Sequence, residues 1–413
     1  MTLIEFFDES ALENFAACLL LPVDKMILLG DSPSMEAAAE RYRALLKNRN
    51  RQVCIEIRKT GGKSLGKLTA QLRGIVLSEP KCVIDLNGGD EMVIMAAGAM
   101  LAGLDERQRK KVSVQSIDPK TGTIRDCDGD GMIVKGQPAS LTVSELISLY
   151  GGIVYPKSYQ PPRSYTVEDL EPIWTLVTED PGKWNRTLSA LSKFEKHSSC
   201  VTEDRMEIFV LLDYVRNEVA GFEEKEDLVR QLLNNLAEKG LIKNRSTPYY
   251  LSYTYKSPLI RYCTDKAGNV LEIKTLLEAR ALTEGGIPCF QDCQVGVSID
   301  WDGKTPEEKD LQNPVQQSPE TRNEIDLILI QGLRTLFISC KNGQIPDEEV
   351  YKLNTVATRF GGPNVRKMLI VSEKANISPA LAQRTKDMGI YLVKDAAKLT
   401  PYRWKQIFRE AMQ

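Results

Sequence analysis

The feature that most constrains this chain is a rhythm in which short apolar runs alternate with amphipathic helical stretches across glycine-rich turns. Met26–Leu29 ends at Gly30-Asp31-Ser32-Pro33, and an alanine-rich helical pattern follows from Met35 to Leu46. Val53–Ile57, a helical stretch from Ser64 to Leu77, and Cys82–Leu86 come next. Asn87-Gly88-Gly89-Asp90-Glu91 then leads into a helix ending near Gly103. Strands spaced by helices predict a parallel, doubly wound α/β sheet, because the connecting helices cover both faces. Turn residues around Thr123–Arg125 predict a β-hairpin closing this unit.

At 413 residues the chain has room for two to four domains. Three are expected: 1–155, 165–258 and 259–413, the first two separated by a proline- and tyrosine-containing linker, Tyr155–Arg163. In the second, Leu228, Val229, Leu232, Leu233 and Leu236 recur at helical spacing, Gly240 stands where a helix ends, and Tyr249–Tyr255 alternates as a strand. Helix, glycine, then a short basic strand pair is the order of a winged helix. The third begins at Leu259 and holds a helix from about Gly268 to Glu284, strand-like Val295–Ile299, and two strands, Ile325–Ile330 and Thr335–Cys340, turning at Gln331-Gly332. Helix and strand patterns then alternate to Val393, which predicts a mixed α/β sheet around a central hairpin.

Composition removes several functions. With 54 Lys and Arg against 56 Asp and Glu, a polyanion site must be a local patch. A single His, His197 in a polar stretch, makes a Ser-His-Asp hydrolase a poor fit, and nine scattered Cys show no zinc spacing. No apolar run reaches the ~18 residues of a membrane span, and Glu5, Asp8 and Glu9 are the wrong charge for a secretory signal. A soluble, cytoplasmic protein with no membrane partner is expected.

The sharpest chemistry is in the third region. Strand alternation puts Glu324 and Asp326 on one face, and Ser339 and Lys341 on one face of the next strand. A hairpin brings these faces together, and Glu272 stands in the preceding helix. Carboxylates beside an ammonium suit metal-assisted phosphodiester hydrolysis: Glu272, Asp326 and Glu324 as ligands of Mn²⁺ or Mg²⁺, and Lys341 on the developing negative charge. The plain alternative is an edge hairpin with solvated charges, but a Lys ending the apolar run Leu336-Phe337-Ile338 is out of place for that.

On these residues the segment Leu259–Val393 resembles the PD-(D/E)xK, restriction-endonuclease-like nucleases, with Glu272, Asp326, Ser339 and Lys341 as catalytic residues. The longer string Asn323-Glu-Ile-Asp326, Phe337-Ile-Ser-Cys-Lys-Asn-Gly343 and Arg359-Phe-Gly-Gly362 resembles the nuclease domain of CARF-containing effectors of type III CRISPR systems. What the resemblance implies is a Rossmann-like CARF sensor, a winged-helix-like linker and a nuclease, assembled as a homodimer that a cyclic oligoadenylate, cyclic tetra-adenylate by expectation, switches on to cut DNA or RNA in antiviral defence. One departure stands out: the acid usual two residues before the Lys is Ser339, so the missing acid is expected from Glu272, Glu324 or Glu348.

In an open α/β sheet, ligands sit beyond the carboxyl ends of the strands, near helix N-termini that favour anions. Gly30, Asp31, Ser32, Pro33, Asn87, Gly88, Gly89 and Asp90 occupy such positions, with Thr60 and Lys63 in a neighbouring turn. Ordinary βα turns are the rival reading of these loops. Thr60–Ser64 lacks the first glycine of a phosphate-binding P-loop. The Asn87-Gly-Gly motif with its preceding strand resembles a CARF loop, which implies ribose and phosphate contacts, but Asp90 and Glu91 stand where a basic residue is common. Asp126–Gly131 resembles the start of a calcium loop but has Gln137 at its twelfth position, so a turn is the better reading.

Lys243, Arg245, Lys256 and Arg261, interleaved with Tyr249, Tyr250, Tyr253 and Tyr255, suit a nucleic-acid surface. Core packing is favoured for Tyr249 and Tyr253. Two rivals to the nuclease reading follow: a ligand-gated DNA-binding transcriptional regulator with an inactive nuclease-like domain, and an enzyme that degrades its own cyclic nucleotide.

Overall fold

A strand that the apolar pattern does not announce lies at the centre of the first sheet. Thr2–Phe6 is buried throughout, although Glu5 interrupts its apolar run, and it pairs in parallel with both Lys25–Gly30 and Cys82–Asp85. The computed structural model describes residues 1–62, 64–118, 121–128, 133–135, 139–155, 159–198, 200–201, 205–301, 303, 322–343, 345–362, 364–373 and 377–413. Outside these lie Lys63, residues 129–132 of the Asp- and Gly-rich loop, 156–158 of the linker, and most of the polar stretch after Gly303.

Among the described residues the first sheet runs Cys54–Lys59, Lys25–Gly30, Thr2–Phe6, Cys82–Asp85, Val112–Asp118, Thr123–Asp126, Ile133–Lys135. The first five are parallel and the last two return as a hairpin. Strand order reverses at Thr2–Phe6, so the topological switch point lies beside Cys82–Asp85, where such sheets bind ligands.

The second sheet runs Ile390–Val393, Arg366–Val371, Arg334–Lys341, Arg322–Gln331, Asp292–Asp300, Ile153–Val154. Its centre is the expected hairpin, in register from Leu327 opposite Ile338 to Gln331 opposite Arg334. Gly332 holds φ at +63° in the tight turn, a conformation glycine adopts freely. Ile153–Val154 pair with Asp300 and Ile299, so the chain just before the linker belongs to this sheet and not to the first.

Three cores hold the architecture, one of them packing helices Leu65–Ser78 and Glu91–Ala102 on the first sheet, and the other two joining units. One joins helices Ala11–Leu20, Met35–Asn48 and Val143–Leu149 of the first unit to helix Glu348–Gly361 and one face of the second sheet; Phe15, Tyr42, Ile147, Phe337 and Phe360 belong to it. Polar contacts follow the same seam, with Arg49 on Glu145 at 2.7 Å and the Val143 N–H donating to Asp292 at 2.8 Å. The other core packs the middle helices against helix Asn269–Arg280 and the opposite face of the second sheet.

In the middle region, helices Val167–Glu179, Pro181–Glu195 and Phe222–Glu238 cover an antiparallel sheet ordered Ile242–Asn244, Tyr250–Tyr255, Glu207–Leu211, Cys200–Val201. Leu251, Tyr253 and Tyr255 point inward. Tyr249 does not: it precedes the strand, in the turn, and is 76% exposed, which corrects its expected place in the core. Arg261 is also no part of a basic surface, being buried against Glu195. Among the described residues, no helix is long and apolar enough to cross a membrane.

Lys274 and Glu278 form an ion pair at 3.2 Å with almost no solvent exposure, and Lys274 also lies over the Trp174 ring. Removing one member of such a pair strands the other charge. Lys274→Met is expected to lower unfolding free energy in denaturant titration by ~3–5 kcal/mol, and Lys274→Met with Glu278→Leu to regain most of it.

Candidate functional site

The central hairpin ends on polar residues that meet one another. The Asp326 carboxylate accepts from the Ser339 hydroxyl at 3.0 Å and from the Cys340 backbone N–H at 2.6 Å, both on Oδ2. The Lys341 ammonium lies 4.0 Å from the same oxygen and 2.7 Å from Glu349. Strand alternation explains the arrangement. Phe337, Ser339 and Lys341 share one face, while Leu336, Ile338 and Cys340 enter the opposite core. Asn342, the next residue, is fastened to the middle region through Asn185, at 3.0 Å, and to the Ala267 carbonyl at 3.3 Å.

Glu272 approaches from the first turn of helix Asn269–Arg280. Burial, then the charges of Asp326 and Glu324, push its carboxyl up to about 8. Asp326 is also raised by burial, against the pull of Lys341, the Cys340 N–H and Ser339. Burial works against the Lys341 charge, but Asp326 and then Glu349 outweigh it and raise its pKa. Glu272, Asp326 and Lys341 therefore share one electrostatic environment, with exposed Glu324 at its edge.

Ser339 takes a different part from the acid it replaces: its hydroxyl donates to Asp326 and so favours that carboxylate's charged form. Glu349, which the sequence reading passed over for Glu348, is the acid on Lys341, whereas Glu348 is exposed. Helical phase decides this, since the helix starts at Glu348 and turns its second residue inward.

The donor set fits a hard divalent cation. Mg²⁺ commonly takes only one or two carboxylates plus waters and substrate phosphate, and two partly buried, mutually repelling carboxylates gain from a cation between them. Glu272 and Asp326 could hold it, with Asp326 Oδ1 making no hydrogen bond among the described residues. Among the described residues no three His, Cys, Asp or Glu side chains are grouped closely enough for an all-protein metal cage.

At the switch point of the first sheet, the expected ligand loops divide. Asn87 is committed to the fold: its amide oxygen accepts the Ile117 N–H at 2.6 Å and its amide nitrogen donates to the Ile117 carbonyl. Asp90 caps helix Glu91–Ala102, accepting from Val93 N–H at 2.9 Å. Thr60 is buried, with its N–H on the Gly30 carbonyl. Asn87 and Asp90 thus each have a structural role in these loops. Gly88 and Gly89 pack against Phe6 so closely that any Cβ would collide with it, and Gly89 has φ +89°. Asp31 and Pro33 are exposed, and Ser32 donates to Glu9 at 2.6 Å. Glu9 follows the central strand that the pattern missed, so its loop was missed as well.

Beneath these loops, Glu5, Asp85 and Gln115 form a cross-strand row. Both Glu5 oxygens, Asp85 Oδ2 and Gln115 Nε2 are buried without a hydrogen-bond partner among the described residues. Burial raises Asp85 to about 7, and burial and then Asp85 raise Glu5 well above the carboxylate range.

The architecture thus comprises a doubly wound α/β unit, a small helix-and-sheet middle unit, and a mixed α/β sheet with acids and a lysine at its hairpin end. No family model matches the chain, and no curated protein matches it in sequence. Among solved structures it is similar to protein VC1899 from Vibrio cholerae, at 15% identity and a TM-score of 0.70, covering 100% of this chain and 97% of that one. It is also similar to Can2 from Sulfobacillus thermosulfidooxidans, solved in complex with cyclic tetra-adenylate, at 16% identity and a TM-score of 0.65, covering 100% and 99%. The whole chain shares the fold of both, and the α/β fold expected from the CARF-nuclease resemblance is the fold observed.

The Glu5–Asp85 pair gives a pH test. Asp85 ionises at about 7 in the fold against an ordinary 3.8, so unfolding releases protons between those values. Stability therefore falls as pH rises through that window. Glu5→Gln is expected to raise the melting temperature at pH 8 and to shrink its decline from pH 5, as read by calorimetry.

Proposed function

We propose that this chain is a cyclic-oligoadenylate-activated, Mn²⁺- or Mg²⁺-dependent nuclease that hydrolyses phosphodiester bonds in DNA or RNA, acting as a CRISPR antiviral effector. The observation that carries the reading is the meeting of Asp326 with Ser339, Cys340 and Lys341 at the hairpin end, within the field of Glu272. Solvated edge charges would neither converge nor shift one another.

Glu272 and Asp326 would hold the divalent ion, which when bound polarises a phosphoryl oxygen and lowers the pKa of a water. The remaining work belongs to the chain. Ser339 and the Cys340 N–H favour the charged form of Asp326 and fix its direction. Glu349 holds the Lys341 ammonium at 2.7 Å, where it balances charge developing on the phosphate. The apolar strands beneath position these groups without flexible loops.

For the activator, the support is the switch-point crevice of the first sheet and the cyclic tetra-adenylate bound by Can2, which shares the fold. With Asn87, Asp90 and Thr60 committed to structure, backbone N–H groups of Gly88 and Gly89 and the Gly30–Ser34 loop are the contacts we assign. A homodimer suits the outer face of helices Leu65–Ser78 and Glu91–Ala102, which exposes Leu77, Met92, Ile94 and Met95 beside small Gly66, Gly74 and Gly98.

The regulator alternative meets an electrostatic obstacle. Helix Phe222–Glu238, which a winged helix would present to DNA, exposes Glu223, Glu224, Asp227 and Glu238 toward any phosphate backbone.

The test is cleavage of labelled DNA and RNA with Mn²⁺, with and without cyclic tetra-adenylate. Wild type is expected to cut only with the activator, and Asp326→Ala and Lys341→Ala each to lose at least about a hundredfold in rate with unchanged melting curves. Full activity in both variants would remove the assignment.

A further inference from the structure

Beside the carboxylates, the chain forms a second concave feature that the hydrolytic site does not use. A hollow of about 230 Å³ is lined by Tyr159, Tyr262, Met206 and Pro258, with Arg205 and Arg261 on its polar side and Asp265 at the rim. The two tyrosine rings are 5.1 Å apart and inclined at 36°, giving an aromatic wall. The volume is below the roughly 300–1,000 Å³ of pockets for drug-sized ligands, and so suits a fragment such as one planar base.

Its chemistry is that of a nucleotide. Arg205 is exposed and has no ion-pair partner among the described residues. Arg261 is 8% exposed; one nitrogen reaches Glu195 and Asp265, each at 3.4 Å, while Nε and Nη1 have no hydrogen-bond partner among the described residues. A buried guanidinium with unused donors is costly unless an acceptor completes it. Asp265, the acid at the rim, is turned to Arg261. Aromatic faces with an available cation are how proteins hold single strands, since every base offers a π-face to stack.

Tyr262 ties the hollow to the hydrolytic site. The Tyr262 hydroxyl feels Glu272, Glu324 and Asp326, which after burial raise its pKa. The Tyr262 carbonyl accepts from Asn269, the first residue of the helix that carries Glu272.

We infer that this hollow is a substrate subsite that takes one unpaired nucleotide of a single-stranded nucleic acid, its base against Tyr262 and Tyr159 and its phosphate toward Arg205. The inference rests on the nuclease reading for its substrate class and adds strandedness: a paired base cannot leave its stack to enter, so single strands are preferred over duplexes. Tyr262 and Arg205 are specificity residues and take no part in bond cleavage.

The experiment is fluorescence anisotropy of short fluorescein-labelled oligothymidylate and oligouridylate, with the corresponding duplexes, on the full-length Lys341→Ala protein in the presence of cyclic tetra-adenylate. Tyr262→Leu and Arg205→Glu are each expected to weaken single-strand binding by about tenfold, the scale of one base–aromatic stack. Tyr262→Phe should retain it, and duplex binding should be weaker at the outset and indifferent to the changes. The tighter of the two oligonucleotides names the sugar. Arg205 is exposed, so its variant reports even where loss of Tyr262 perturbs packing. Unchanged single-strand affinity in both variants overturns the inference. Cleavage by the protein with Lys341 intact separates the two readings: if wild type cuts and the variants bind as wild type, the hollow fails and the nuclease stands. If wild type cuts nothing while Tyr262→Leu loses the single strand, the nuclease fails and the hollow stands.

Discussion

Two carboxylates in one electrostatic environment and partly out of water are the constraint around which the hairpin end of this protein is arranged. Burial and mutual repulsion disfavour their charged forms, as the rise of Glu272 to about 8 records. What holds Asp326 against that tendency is local: a hydroxyl and a backbone N–H on one oxygen and an ammonium at 4.0 Å. A site left short of positive charge in this way is poised for a divalent ion. Ser339 fits here as a supporting donor, so its lack of a carboxyl weakens the ligand set without breaking the arrangement.

The same tension recurs in the first sheet. Glu5 and Asp85 lie side by side on the two strands flanking the switch point, with three carboxyl oxygens unpartnered. A chain selected for stability alone would place apolar residues there, as at Leu28, which pairs with Glu5 on its other side. Between the two regions runs a continuous apolar core, in which helix Val143–Leu149 packs on the second sheet and against helices Ala11–Leu20 and Met35–Asn48 of the first unit. Activation by a ligand at the loops would be a population shift, and this helix is the rigid element that such a shift would move against the second sheet.

How much of this the sequence disclosed depends on the local signal. The hairpin was legible because its strands are apolar and its turn is tight, and Asp326, Ser339 and Lys341 came with it. Glu272 was legible from a resemblance, since nothing in its helix distinguishes it from other surface acids. Thr2–Phe6 was not legible, because Glu5 breaks its apolar run and its length is only five residues. With it went the loop carrying Glu9. Asn87 and Asp90 were read as ligand contacts, although an Asp just before a helix is an N-cap signal in its own right. Glu349 depended on where a helix begins, a boundary that sequence leaves open by a residue or two. Tyr249 followed its strand's alternation on paper but lies in the turn before it. The hollow at Tyr262 assembles three separate segments and leaves no pattern in any one of them.

The most direct measurement of the central claim is calorimetric titration of Mn²⁺ into the full-length protein and into Asp326→Asn and Glu272→Gln. The account predicts one saturable site per chain in wild type that is lost in both variants. Equal binding in all three proteins, or none in wild type with substrate analogue present, would contradict it.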